Sequence, residues 1–222
     1  SVQVHPNNDY AMRVEGEYGK TEMWYIVDAK EGAKIGFGFV RDVTKDEVEK
    51  AAKDGTLQDI IKYYDVKKGD CFFIRGGSVH CLCAGLIVAE IQQSSDTTYR
   101  LYDYNRHDKD GNLRELHLDK ALETAKLGVY EKAYCNAENL DECTVAECEY
   151  FKVVKHTVYG EKCFDTEEKT FNAVMFLEGD GFIEYDGGKK EKFSAGNTFL
   201  IPACLKNYKI SGDCDILRCM LP

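Results

Sequence analysis

Gly69-Asp-Cys-Phe-Phe-Ile-Arg-Gly-Gly-Ser-Val-His80 decides the fold, because a second stretch repeats its plan. The repeat is Gly196-Asn-Thr-Phe-Leu-Ile-Pro-Ala-Cys-Leu-Lys-Asn207. Each begins with a glycine and a polar residue, runs through an apolar strand and turns. Each then reaches a polar residue five positions past Arg75 or Pro202. A tight glycine turn feeds the strand, and a second turn re-aims the next side chain inward. Two copies of such a unit within 222 residues point to two related β domains.

The rest of the chain supports a mostly β reading. Short runs rich in Val, Ile, Phe and Tyr recur between Gly, Asp and Asn, as in Glu22-Met-Trp-Tyr-Ile-Val-Asp28 and Ala173-Val-Met-Phe-Leu177. Helices enter as insertions. Thr44-Lys-Asp-Glu47 is a capping box opening a helix that stops at Gly55, and Thr56–Tyr63 offers a second, giving a helical insertion over about 44–64. Asp119–Leu127 reads as a third helix, ended by Gly128. Residues 134–149 are acidic, with scattered cysteines and no period, and read as a linker. The expected domains are thus 1–133 and 150–222.

Composition narrows the partners. A formal charge of −10 speaks against nucleic acid, whose phosphates demand clustered Lys and Arg. Apolar runs such as Gly85-Leu-Ile-Val-Ala89 are strand-sized, far short of a membrane span. No export signal is visible, so a cytoplasmic protein is expected. The ten cysteines lack C-x-x-C spacing and read as reduced, mostly buried residues.

The repeated G-x5-P-x-G-x2-H pattern resembles the second half of the cupin motif, found in small jelly-roll β-barrels. Arg75 departs from it by replacing the usual proline. In the second copy Cys204 replaces the glycine and Asn207 the histidine, so the resemblance implies a metal in the first barrel and none in the second. Inward-pointing candidates in the first are Gln3 and His5, one residue apart on the same strand face, with Glu22 and His80. By themselves Gln3 and His5 read equally as a polar edge-strand face. Two imidazoles, a carboxylate and an amide oxygen suit Zn²⁺, with Fe²⁺ or Mn²⁺ as alternatives.

Further motifs occur in order: Ser1-Val-Gln-Val-His-Pro6, Gly19-Lys-Thr-Glu-Met-Trp-Tyr25, Gly77-Ser-Val-His80, Glu90–Tyr104 and Arg114-Glu-Leu-His117. Together they resemble the zinc-dependent, cupin-type mannose-6-phosphate isomerases in their short bacterial form. The likeness covers Ser1 to about Ala125 and is looser from Tyr150 onward. It implies interconversion of mannose 6-phosphate and fructose 6-phosphate through an enediol. It also implies Gln3, His5, Glu22 and His80 as ligands of one Zn²⁺ and Arg100 as the essential arginine. Lys20 and Glu90 match pocket-lining positions that bind substrate. The base stays open among Glu90, the neighbours of His80 and a metal-bound water.

Plainer readings stand beside these. Arg100 could be a stacked or solvated cation and Glu90 a barrel-edge residue. His107 and His117 read as structural or surface residues, and His156 as lacking partner ligands. Cys81 and Cys83 pack on the face opposite His80. Relatives carry further strands ahead of the first motif, so an incomplete first barrel is expected. Its exposed edge would favour self-association or weakened activity. The rival functions are an Fe²⁺ dioxygenase of the same fold and a non-catalytic sugar-phosphate binder.

Overall fold

Val2-Gln-Val4 forms β1 (Val2–Val4), both valines fully buried, and Pro6 lies just beyond its end. Asn7 then caps α1 (Asn8–Val14), accepting the Tyr10 backbone N–H at 3.0 Å. An asparagine in extended conformation serves either a turn or an N-cap, and here it opens a helix. The computed structural model describes residues 1–107, 109–130, 134–166 and 168–222. The chain divides into two units, Ser1–Tyr134 and Cys135–Pro222.

The first unit continues with β2 (Glu22–Ala29), β3 (Lys34–Phe39), α2 (Lys45–Asp54), β4 (Ile61–Asp65), β5 (Asp70–Ile74), β6 (His80–Leu82), β7 (Leu86–Gln92), β8 (Tyr99–Tyr102) and α3 (Leu118–Thr124). One sheet runs β4-β3-β6-β1-β8, and β7, β2 and β5 lie side by side in another. Trp24, Ile26, Ile35, Phe37, Phe72 and Ile74 from both sheets form one core. A second core joins Val2, Val4, Val79, Cys81 and Leu101 to Val48 and Ala52 of α2 and Ala121 and Leu122 of α3. Cys81 therefore packs among helices, away from the first core, and Cys83 is half-buried.

The capping box of α2 is formed in both directions between Thr44 and Glu47, and Gly55 closes the helix at φ 73°. The expected helix over Thr56–Tyr63 is corrected to a 3₁₀ turn, Leu57–Asp59, followed by β4. Ile60, Ile61, Tyr63 and Tyr64 are β-branched or aromatic, and pairing with β3 outweighs weak helix propensity. α3 ends at Thr124 rather than near Gly128, because the Lys126 N–H leaves the helix to donate to Gly77 O at 2.8 Å.

The short β9 (Tyr134–Asn136) spans the boundary between units. The second unit holds β10 (Glu142–Glu147), β11 (Lys152–Val158), β12 (Glu161–Asp165), β13 (Asn172–Tyr185), β14 (Lys189–Ser194), β15 (Thr198–Ile201), β16 (Asn207–Ser211) and β17 (Cys214–Met220). The expected linker 134–149 is therefore corrected, since β10 pairs antiparallel with β11 along its length. A bulge between Thr144 and Ala146 leaves Val145 and Ala146 both buried, which hid the alternation in the sequence.

The fourteen-residue β13 pairs with β15 and β17 through its first half and with β14 and β16 through its second. The crossing is close: a Cβ at Gly179 would lie 2.1 Å from Asp213 O, and one at Gly181 2.0 Å from Ser211 O. Phe164, Val174, Phe176, Phe193, Ile201, Tyr208 and Ile216 form the core of this unit. The turn after β15 contains a 3₁₀ segment, Ala203–Leu205, and Lys206 at φ 64°. Asn207, which opens β16, is exposed, and the buried residue is the next one, Tyr208, so the buried face falls one residue later than at His80. Among the described residues no helix is long and apolar enough to cross a membrane.

Candidate metal centre

β1 runs between β6 and β8, and its registers set three residues in a row. Gln3 pairs with His80 on one side and Arg100 on the other. Residues directly opposite in antiparallel strands present their side chains on one face. His5 follows on the same face of the chain, and Glu22 enters from the start of β2. His5, Glu22 and His80 are all at least 99% buried.

His5 Nε2 lies 3.5 Å from Glu22 Oε2, and His80 Nε2 lies 3.4 Å from Glu22 Oε1. The Gln3 amide nitrogen is 3.3 Å from His80 Nε2, and a half-turn of that amide exchanges it for the carbonyl oxygen. The other ring nitrogens fix the tautomers. His5 Nδ1 donates to Thr97 O at 2.9 Å and His80 Nδ1 to Ser78 O at 2.9 Å, since carbonyls only accept. Both Nε2 lone pairs therefore face the Glu22 carboxylate, acceptor against acceptor.

His5 Nε2 and both Glu22 carboxylate oxygens are buried without a hydrogen-bond partner among the described residues. Such an arrangement costs several kcal/mol by itself. One atom from each of His5, Glu22 and His80 lies within 4.8 Å of the others, so a single cation between them satisfies all three. The donor set thus fits a divalent metal. Burial drives His5 down to about 2 and His80 down to about 4, leaving both imidazoles neutral, the form that ligates. Burial, and then neighbouring Glu90, push the Glu22 carboxyl up to about 7 against the pull of Lys20.

Lys20 Nζ bridges two acids, 3.2 Å from Glu22 Oε2 and 3.4 Å from Glu90 Oε1. The other Glu90 oxygen accepts the Trp24 indole N–H at 3.0 Å, and the Trp24 ring meets the His80 ring edge-on at 5.3 Å. The β2–β7 register accounts for this by pairing Trp24 with Glu90. Sequence reasoning missed Trp24, although its position two residues past Glu22 on one strand face was a usable signal. It also missed the Thr97 and Ser78 carbonyls, which leave no trace in side-chain identity.

Arg100 Nε is buried without a partner among the described residues. The backbone of Arg100 is clamped by His117, whose Nδ1 accepts its N–H at 3.3 Å and whose N–H donates to its carbonyl at 2.9 Å. His107 is exposed and bridges to Leu113. His156, read as lacking partner ligands, is buried in the second unit with Nδ1 3.1 Å from Glu142 Oε2 and 3.3 Å from Lys162 Nζ. That partner comes from β10, the strand read as linker. Lys20, Glu22, Glu90, Gln3, His5 and His80 thus form one contiguous set, with Arg100 paired beside Gln3.

Comparison with known proteins was made on this footing. The family described as mannose-6-phosphate isomerase, cupin domain, matches residues 141–221. Mannose-6-phosphate isomerase ManA of Bacillus subtilis is 38% identical over 217 residues, covering 96% of this chain and 68% of the relative. The mannose-6-phosphate isomerase of Streptococcus mutans is 33% identical over 220 residues, covering 98% and 69%. The crystal structure of the Bacillus subtilis mannose 6-phosphate isomerase matches with a TM-score of 0.85 at 34% identity, covering 99% of this chain and 70% of that one.

Proposed function

The chain belongs to the mannose-6-phosphate isomerase family, and from that premise we propose that it interconverts mannose 6-phosphate and fructose 6-phosphate. Gln3, His5, Glu22 and His80 hold one Zn²⁺ in this reading. The observation that carries it is the convergence of buried His5, Glu22 and His80 atoms, with His5 Nε2 unpartnered among the described residues and Glu22 met by the Lys20 ammonium alone. The bound ion supplies Lewis-acid polarisation of the sugar oxygens at C1 and C2.

The isomerisation moves one proton from C2 of the open-chain aldose to C1 and one from O2 to O1 through an enediol, with no net oxidation. Lys20 and Glu90 make up a proton donor and a proton acceptor at the edge of the cluster. The Glu90 side chain is 36% exposed and Lys20 11%. Glu90, oriented by the Trp24 N–H and by Lys20, takes the proton at C2 and returns it at C1. Arg100 offers fixed positive charge to the developing enediolate and the phosphate. Trp24 walls one side of His80, which holds that imidazole and the Glu90 carboxylate in a constant relation.

Formation of fructose 6-phosphate from mannose 6-phosphate by purified protein tests the proposal. Turnover is expected with Zn²⁺ and is lost after chelation. Absence of turnover above the chelated control refutes it. The same two histidines and carboxylate suit a ferrous dioxygenase, but Lys20 and Arg100 favour a phosphorylated substrate, and oxygen uptake separates the two.

A further inference from the structure

The second unit contains a cavity of about 460 Å³ lined by Thr166, Thr170, Asn172 and Arg218, with Lys152 and Glu147 among its other walls. Strand registers identify what this cavity is. Glu22 pairs with Ile74, five residues past Gly69; Asn172 pairs with Ile201, five past Gly196. Asn172 therefore stands where Glu22 does, and Thr170, two residues earlier, where Lys20 does. Trp24 pairs with Glu90 as Val174 pairs with Arg218, so Arg218 occupies the position of Glu90. Gln3 pairs with His80 as Phe164 pairs with Tyr208, and Thr166, two past Phe164, takes the place of His5.

The four ligand positions of the first unit thus become Phe164, Thr166, Asn172 and Tyr208, without an imidazole or a carboxylate. Phe164 and Tyr208 stack at 5.4 Å where Gln3 meets His80. The space beside them nevertheless persists, and its charge is reversed. An acid has become Arg218, and a buried carboxylate has become the amide of Asn172, 2% exposed. Arg218 Nε and Thr170 Oγ1 are buried without partners among the described residues. Lys152 is paired with Glu147 at 3.0 Å, Asp165 and Lys169 also line the cavity, and Arg218 keeps an unpartnered Nε among the described residues.

We propose that this cavity binds a small phosphate monoester of sugar size and holds no metal. The Arg218 guanidinium meets the phosphate oxygens and the unpartnered Thr170 hydroxyl a remaining polar group, while Thr166, bonded to Ala203 O, and Asn172 wall the cavity. Arg218 Nη1 reaches Asp165 O at 3.5 Å and the guanidinium lies over the Phe164 ring, which leaves the Nε–H as the donor without a partner among the described residues. A guanidinium is the side chain best matched to a phosphate, and the volume lies within the usual range for small-ligand sites.

Amide shifts of the ¹⁵N-labelled, zinc-loaded full chain test this with three probes: mannose 6-phosphate, inorganic phosphate and unphosphorylated mannose. The amides of Thr166, Thr170 and Arg218 are expected to move saturably with the two phosphates and not with mannose. Arg218→Gln is expected to weaken the response about tenfold or more, Arg218→Lys to restore it only in part, and Thr170→Val to weaken it about threefold. The amides of Gln3, Glu22 and His80 report the first unit separately, so a failure there bears on the isomerase reading alone. Second-unit amides that stay still up to about 20 mM phosphate overturn the proposal. So does a response that Arg218→Gln and Thr170→Val leave unchanged.

Discussion

Replacing Glu22 by Gln keeps the size of the side chain and removes its charge, which separates the cost of a buried carboxylate from its use. In the ion-free protein Glu22 is fully buried, and its carboxyl rises from 4.5 to about 7, chiefly through burial. The unfolded chain ionises near the lower value. Between the two the folded state binds more protons, so stability falls as pH rises. Below 4.5 the burial costs little through titration; above about 7 the whole penalty stands. A gap of about 2.5 at about 1.4 kcal/mol each gives an upper bound of about 3.5 kcal/mol. Glu22→Gln is therefore expected to stabilise the chelated protein by about 2–3 kcal/mol at pH 8 and by under about 1 kcal/mol at pH 5. Zinc inverts the order. At a thousandfold excess over its Kd it stabilises the wild type by about 4 kcal/mol, while the variant, short of its anionic ligand, gains less. Urea unfolding at both pH values, with and without zinc, reads all four states. A chelated Glu22→Gln protein less stable than wild type at pH 8, or a difference independent of pH, refutes the reasoning.

His156 carries the opposite sign. Burial and then Lys162 hold it down to about 4, so the unfolded chain takes up the proton first as pH falls below 6.5. The second unit is expected to lose on the order of 2 kcal/mol between pH 6.5 and 4, seen as faster amide exchange in β11 and β17, and His156→Gln to flatten that dependence. Trp24→Phe deletes the donor to Glu90 and is expected to lower kcat about tenfold with zinc content unchanged, measured by steady-state kinetics and metal analysis. Unaltered kcat would remove Trp24 from the mechanism. Thr44→Ala breaks the capping box of α2 and is expected to cost about 1 kcal/mol in urea unfolding while leaving kcat unchanged.

The candidate site was legible wherever it rests on strand alternation. Gln3 and His5 share a face because they are two apart, and His80 follows a glycine-led strand whose copy recurs at Gly196. The failures have local causes. Residues 134–149 hid β10 because its bulge breaks the period that marks a strand. The helix expected at Thr56–Tyr63 gave way to β4 because pairing with β3 is non-local and invisible in a window of eight residues. Asn207 was aligned to His80, yet after a turn of equal length β16 buries Tyr208 instead, and a slip of one reverses every face that follows. The carbonyls of Thr97 and Ser78, which choose the histidine tautomers, belong to backbone and depend on folding alone.

The two units show how little of a metal centre belongs to the sheet that carries it. One register supports Gln3 against His80 in the first unit and the Phe164–Tyr208 stack in the second. In the first, only the Lys20 ammonium meets the buried Glu22 carboxylate among the described residues, and the ion-free fold bears most of the desolvation cost. In the second, the Asn172 amide donates at 3.1 Å to Asp165 O and at 3.2 Å to the Tyr208 hydroxyl, so the corresponding position is satisfied without an ion. Stability in the second unit is therefore independent of zinc by construction, whereas the first is strained until a cation arrives. Chelation consequently loosens β1, β2 and β6 and spares β12, β13 and β16. The short β1 is expected to be the most sensitive of these, since two of the four proposed ligands depend on it, Gln3 within the strand and His5 just beyond it.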